Sequence, residues 1–265
     1  MNAALSVEYD IAPCAEAVRR GDPDRFLATM AAPVQARPVL FAIYAASLEF
    51  ARAPWVTKEP MIAEMRLQWW HDALDEIAAK GEVRRHEVVT PLAALLTPAA
   101  ATHLQKSVAA RQWDIYKEAH EDEPALLAYI EATSGAPIWA AMLALGAPQD
   151  AFAPAMAIAR AGGLIRYFAA LPALEEAERI PLVDGRTEAI KDLASKVWAD
   201  FQGAKSLRRR LGPLISAPLL EPAMNAVALP ALIHSPIRVA HGQIGISEAR
   251  KRWRLMRLAA TKSWR

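Results

Sequence analysis

Pro38-Val39-Leu40-Phe41-Ala42-Ile43-Tyr44-Ala45-Ala46-Ser47-Leu48-Glu49-Phe50-Ala51-Arg52 is apolar nearly all round, with Glu49 as its one charge before Arg52. A stretch of this length with no period-2 alternation reads as a helix buried on most of its sides. Working outward, Lys58 to Lys80 carries Ile62, Met65, Trp69, Ala73 and Ile77 at helical spacing and stops at Gly81. On the other side, Asp22-Pro23 opens the first clear helix, with Phe26, Leu27 and Met30 on one face. Further helices are expected over 99–119, 123–132, 137–145, 151–171, 187–211, 218–234 and 247–261. Only Arg84 to Val89 offers a candidate for alternation, and it is short and charged. The expectation is an all-α protein.

The composition agrees. The chain has 265 residues, 54% of them hydrophobic and only 11 glycines, and alanine and leucine dominate, a mix that favours helix. One domain spanning 1–265 is expected, with a basic C-terminal segment at 248–265. The net charge of +2 offers no footprint for nucleic acid. Cys14 is the only cysteine, so there is no intramolecular disulfide and no cysteine zinc site, as in a reducing, cytoplasmic compartment. Met1 to Asp10 carries two acids and lacks a signal-peptide pattern. Ala136 to Ala147, the most apolar long stretch, is too short to span a bilayer and reads as a core helix of a soluble protein.

Several side chains carry chemistry. Glu49 needs a partner if its helix is buried. Arg66 stands among Ile62, Trp69, Trp70 and Ala73 on the following helix, and a direct Glu49–Arg66 ion pair is expected; the other reading makes Glu49 an acid facing a ligand. Arg166 follows Gly162-Gly163, where a helix can be approached closely. It faces an anion in a cavity, or it is anchored to a neighbouring acid or exposed at a helix end. Asp72, Asp75 and Glu76 read as a solvated acidic face, and the six histidines form no metal motif. The tryptophans are core residues or the lining of an apolar tunnel. After Glu248 the chain is rich in Arg and Lys interleaved with Trp253 and Trp264. Such a segment is either a solvated helix or a peripheral contact with an anionic membrane.

Two blocks resemble the squalene/phytoene synthase superfamily. The first is Ala42-Ile43-Tyr44-Ala45-Ala46-Ser47-Leu48-Glu49-Phe50-Ala51 followed by Met65-Arg66-Leu67-Gln68-Trp69-Trp70. The second is Gly163-Leu164-Ile165-Arg166-Tyr167-Phe168-Ala169-Ala170-Leu171-Pro172 followed by Arg179-Ile180-Pro181-Leu182. The resemblance implies an isoprenoid-synthase-like helical bundle around a central cavity. In that family two aspartate-rich motifs on facing helices hold Mg²⁺ against a diphosphate, since carboxylates four apart share a helix face and Mg²⁺ prefers oxygen ligands. Here the corresponding positions are Ala51, Arg52 and Trp55, and Ala170 and Leu174, which should lie near one shared cavity. Leu171-Pro172 suggests that the second helix bends or ends there. The pattern is similar to one branch in particular, that of the assembly factor of mitochondrial respiratory complex I and its bacterial relatives. The resemblance thus implies a non-catalytic binding or assembly protein without a cofactor, with an isoprenoid or lipid ligand, a respiratory-complex partner and a place at the periphery of the inner membrane. Its rival is a head-to-head prenyltransferase with displaced ligands, which would need Mg²⁺. Candidate cavity residues are Tyr44, Glu49, Arg52, Arg66, Trp70, Arg166 and Tyr167.

Overall fold

The computed structural model describes residues 9–261. Among these, most residues are helical and none lies in a strand. In chain order the helices are α1 (Ala12–Gly21), α2 (Pro23–Ala31), α3 (Arg37–Arg52), α4 (Pro60–Ala78), α5 (Val89–Leu95), α6 (Pro98–Ala110), α7 (Glu123–Ile130), α8 (Ala136–Ala144), α9 (Phe152–Glu176), α10 (Thr187–Ala204), α11 (Leu207–Ile215), α12 (Leu220–Asn225), α13 (Leu229–His234) and α14 (Glu248–Ala260).

Helix α3 is buried from Val39 through Ser47 and again at Phe50, as its all-round apolarity requires. It packs on α1, α5 and α8. Helix α9 is the other central element and packs on α7, α10 and α12. A Cβ at Gly162 would overlap Pro222 of α12, and one at Gly163 would press on Ile130 and Ser134. The paired glycines therefore admit two neighbours to the same turn of α9. Between α7 and α8 a π turn, Glu131–Gly135, carries the helical path on without a break. The composite helix Glu123–Ala144 is long and apolar enough to cross a membrane, yet 67% of its apolar window is buried inside this fold. Leu207–Ile215 with Ala217–His234 also passes that test as a pair, bent by 111°.

Several sequence expectations need correction. Helix α9 does not stop at Leu171 but runs through Pro172 to Glu176. Pro172 removes one helical hydrogen bond, and the packing of Leu171 and Leu174 against the core outweighs that local loss. Helix α6 ends at Ala110, not Ala119, because Arg111 to Ile115 turn back around the buried Asp114. Helix α2 buries Arg25, Ala28 and Thr29 instead of Met30, which is exposed. Helices α1 and α5 were not expected. The stretch 187–211 is broken between α10 and α11, and 218–234 is a succession of short turns and helices.

Candidate functional site

A cavity of about 720 Å³ lies between the end of α3, the α7–π turn and α9. Ala51 and Trp55 line it from α3 and the turn that follows, and Ala170, Ala173 and Leu174 line it from α9. The π turn contributes Thr133 and Ser134. Ala170 and Leu174, four residues apart, share one face of α9, and Trp55 reaches the cavity from the turn after α3. Four of the five positions expected near a shared cavity thus line this one.

Its polar groups sit in two networks. Arg166 Nη2 donates to Asp22 Oδ2 at 2.6 Å, and Nη1 lies 3.3 Å from both Asp22 Oδ1 and Glu221 Oε1. Asn225 donates to the same Glu221 oxygen at 2.6 Å. Buried Arg25 lies 3.7 Å from Asp22 Oδ2 and covers the Tyr44 ring at 4.7 Å. Burial alone would push the Asp22 carboxyl up, but Arg166 and Arg25 together hold it below the ordinary aspartate range. Burial likewise opposes the Arg166 charge, and the two carboxylates overcome it and raise its pKa.

The second network begins at Arg111, whose Nη1 donates to Asp114 Oδ2 at 2.8 Å and to the Tyr129 hydroxyl at 3.0 Å. That hydroxyl donates to Asp114 Oδ1 at 2.7 Å. Burial raises the Tyr129 pKa well above the phenol range, so the hydroxyl keeps its proton. Tyr167 donates to the Pro181 carbonyl at 2.6 Å. Arg179 donates to the carbonyls of Asp114 and Tyr116 and lies 5.0 Å over the Trp55 ring. The Arg179-Ile180-Pro181 segment thereby ties the exit of α9 to the cavity wall. Two carboxylates line the cavity. Asp114 is committed as above, and Asp24 receives Lys251 Nζ at 2.7 Å, which brings α14 to the rim.

A separate cavity of about 430 Å³ lies on the other side of the α3 end, lined by Glu49, Arg52, Ala53, Val56, Arg66, Trp69, Trp70 and His86. The seven candidate residues thus divide. Arg166 and Tyr167 line the larger cavity, and Glu49, Arg52, Arg66 and Trp70 the smaller. Tyr44 lines neither; it is buried and donates to the Pro218 carbonyl at 3.4 Å. The expected Glu49–Arg66 ion pair is not formed. Glu49 instead meets Arg52 at 3.4 Å one turn on, with both side chains more than a third exposed. The reason is placement: Glu49 and Arg66 both sit on outward faces, while α3 and α4 meet on their inner faces through Phe50 and Trp70.

Asp22, Glu221, Arg111, Asp114 and Tyr129 were not singled out from sequence. Glu221 carried a usable signal: it is the only charged residue other than His234 in the apolar run Pro218 to His234, the same feature that drew attention to Glu49. Asp22 was read only as a helix cap, a role it also fills by accepting from Arg25 N at 3.1 Å. On α4, His71, Asp72 and Asp75 bring ligand atoms within 4.8 Å of one another, but Gln68 and Gln105 already bind the two aspartates.

Residues 18–183, more than half of the chain, match the squalene/phytoene synthase family. A curated protein of Drosophila melanogaster, NADH dehydrogenase (ubiquinone) complex I, assembly factor 6 homolog, is 35% identical over 69 residues. That alignment spans 26% of this chain and 21% of the relative, so about a fifth of the relative's length is matched. Among solved structures, a dehydrosqualene synthase in complex with ligand superposes with a TM-score of 0.70, covering 94% of this chain and 95% of that one, at 14% identity. That likeness concerns the fold. On the family match, this chain belongs to the squalene/phytoene synthase family.

Proposed function

We propose that this chain is a non-catalytic member of its family, a binding or assembly protein whose central cavity takes an isoprenoid or lipid-like ligand without a metal. One observation carries the reading. The four cavity positions that correspond to the family's acidic pairs are Ala51, Trp55, Ala170 and Leu174. Mg²⁺ needs oxygen ligands in octahedral array. Of the carboxylates at this cavity, Asp24 is bound by Lys251 and Asp114 by Arg111 and Tyr129, while Asp22 and Glu221 behind it are bound by Arg166. The residues present do not fit a Mg²⁺–diphosphate cluster. They fit an apolar ligand body between Trp55, Ala170 and Leu174, with Thr133 and Ser134 as polar contacts.

The partial match to a complex I assembly factor supports an assembly role, with a respiratory-complex subunit as partner and the inner membrane as the place of work. The outward side of α14 is suited to that place: Arg250, Arg252, Trp253, Met256 and Arg257 are exposed, whereas Leu255 and Leu258 dock inward. Lys262, Trp264 and Arg265, also part of the basic segment, lie outside the described residues. Each basic residue near an anionic leaflet contributes ~1 kcal/mol. Deleting the segment would uncover the seats of Leu255 and Leu258, so Arg252→Glu with Trp253→Ala is the cleaner variant, and it should weaken flotation with anionic liposomes.

The decisive experiment incubates the full chain with Mg²⁺ and farnesyl or geranylgeranyl diphosphate. The expected result is saturable binding of the prenyl compound, unchanged by chelation of the metal, with no diphosphate release. Catalytic release of diphosphate would overturn the reading in favour of a prenyltransferase with displaced ligands.

A further inference from the structure

We propose that the smaller cavity at the end of α3 is a second binding site, selective for an organic anion: a carboxylate or phosphate carried on a flat, apolar body. The inference stands apart from the reading of the central cavity, because the two share only the α3 terminus as a wall. Ala51 and Trp55 face one side, and Glu49, Arg52, Ala53 and Val56 face the other.

The inner wall is aromatic and fixed. Trp69 and Trp70 meet edge to face at 4.9 Å, and His86 meets them at 5.2 and 5.3 Å. Phe50 supports Trp70 from the core at 5.2 Å. Arg84 lies 4.9 Å over the Trp69 ring and is itself clamped by Glu76 and by the Trp69 carbonyl. His86 Nδ1 accepts from Val88 N at 3.1 Å, which sets the ring and leaves Nε2 as a donor. Such a wall loses little freedom when a planar body packs against it.

The rim is charged and unsettled. Arg66 is exposed and has no ion pair or hydrogen bond among the described residues. Arg52 makes one long contact, 3.4 Å, to Glu49. Two guanidinium groups thus face one carboxylate, an excess of one positive charge above an apolar floor. A guanidinium fork matches a carboxylate or phosphate in two parallel bonds, which an incoming anion would form by displacing Glu49 from Arg52. The volume, about 430 Å³, lies within the usual range of small-molecule sites. Glu49 then acts as a built-in competitor that keeps simple anions out unless an apolar body adds its own binding.

The test is calorimetric titration of the full chain with 2-naphthoate and 2-naphthyl phosphate, which compare the two head groups. 2-Naphthalenemethanol serves as the neutral isostere, and acetate and inorganic phosphate as the anions alone. Expected is one saturable site for the naphthyl anions, weakened about tenfold or more by Arg66→Gln, since loss of a charge-assisted pair removes roughly one to two factors of ten. Glu49→Gln should tighten the same binding severalfold. The neutral isostere and the bare anions should bind far more weakly, and the isostere should be indifferent to both changes. Ala170→Leu, which fills the central cavity, should leave naphthyl-anion binding unchanged. No binding at about 1 mM, equal affinity in Arg66→Gln, weaker binding in Glu49→Gln, or loss with Ala170→Leu would each overturn the proposal. Circular dichroism of each variant confirms that the fold is intact.

Discussion

Arg166 and Glu49 present the same puzzle in sequence, a charge in an apolar helix, and the fold resolves them in opposite ways. Arg166 reaches two carboxylates that are almost wholly buried, Asp22 and Glu221, drawn from α12 and the junction of α1 with α2. Glu49 sits at the end of its buried helix, more than a third exposed, with a single contact to a neighbour one turn away. A charge becomes a fixed structural joint where several helices close around it. At a helix end open to solvent it stays available. The contrast predicts very different costs of removal.

The largest effect belongs to Asp22. Replacing it with Ala leaves buried Arg25 without its carboxylate and takes one of two acids from Arg166. Breaking a buried pair from one side costs about 3–5 kcal/mol, which urea denaturation will read as a lower midpoint at an unchanged slope. A cost below about 1 kcal/mol would mean that this network is no stronger than a surface pair, and the comparison would fail.

Gly162 tests whether that joint depends on close helix approach. A Cβ there meets the backbone of Pro222, which cannot swing aside as a flexible side chain would. Gly162→Ala should therefore destabilise by about 1–3 kcal/mol, the usual cost of overpacking, despite the better helix propensity of alanine. Gly203→Ala on α10, where a Cβ meets nothing within 4 Å, is the control. It should be neutral or slightly stabilising.

Acid sharpens the same contrast. Asp22 has a folded pKa below its unfolded value of about 3.9. Its contribution is thus fully present above the unfolded value and is lost as pH falls through the lowered folded one. Stability measured from about pH 5 downward should fall less steeply in Asp22→Asn than in the parent, because asparagine has no proton to take up.

The sequence showed α3 plainly, since all-round apolarity over a dozen residues leaves little choice but burial. The resemblance of two distant blocks to one family implied a shared cavity for Ala51, Trp55, Ala170 and Leu174, and these four line one cavity. The sequence could not show that Pro172 lies within a helix, because the packing of Leu171 and Leu174 is tertiary and the proline penalty is local. Nor could it show the turn at Arg111 to Ile115, which depends on Tyr129 and Arg179 closing on Asp114 from far along the chain. Glu221 was within reach: the isolation in an apolar run that drew attention to Glu49 applies to it equally. What sequence lacked in both cases was the direction of the side chain, buried at the α9–α12 joint for Glu221 and facing outward for Glu49.

The smallest expected effect is the one that most directly opposes the pairing expected from sequence. If Glu49 and Arg66 formed a buried bidentate pair, each alanine variant would lose several kcal/mol, and the double mutant would lose little more than either alone. In the structure they share a cavity rim without a bond, and among the described residues the Glu49 carboxylate pairs with Arg52. Exposed pairs contribute about 0–1 kcal/mol. Glu49→Ala and Arg66→Ala should therefore each shift stability by less than about 1 kcal/mol, with a coupling energy below about 0.5 kcal/mol in the double mutant. Glu49→Ala with Arg52→Ala should show a small coupling instead, of the size measured for neighbours one helical turn apart. Strong coupling to Arg66 together with none to Arg52 would mean that the α3 and α4 ends close on each other in solution, and the open rim described above would not exist.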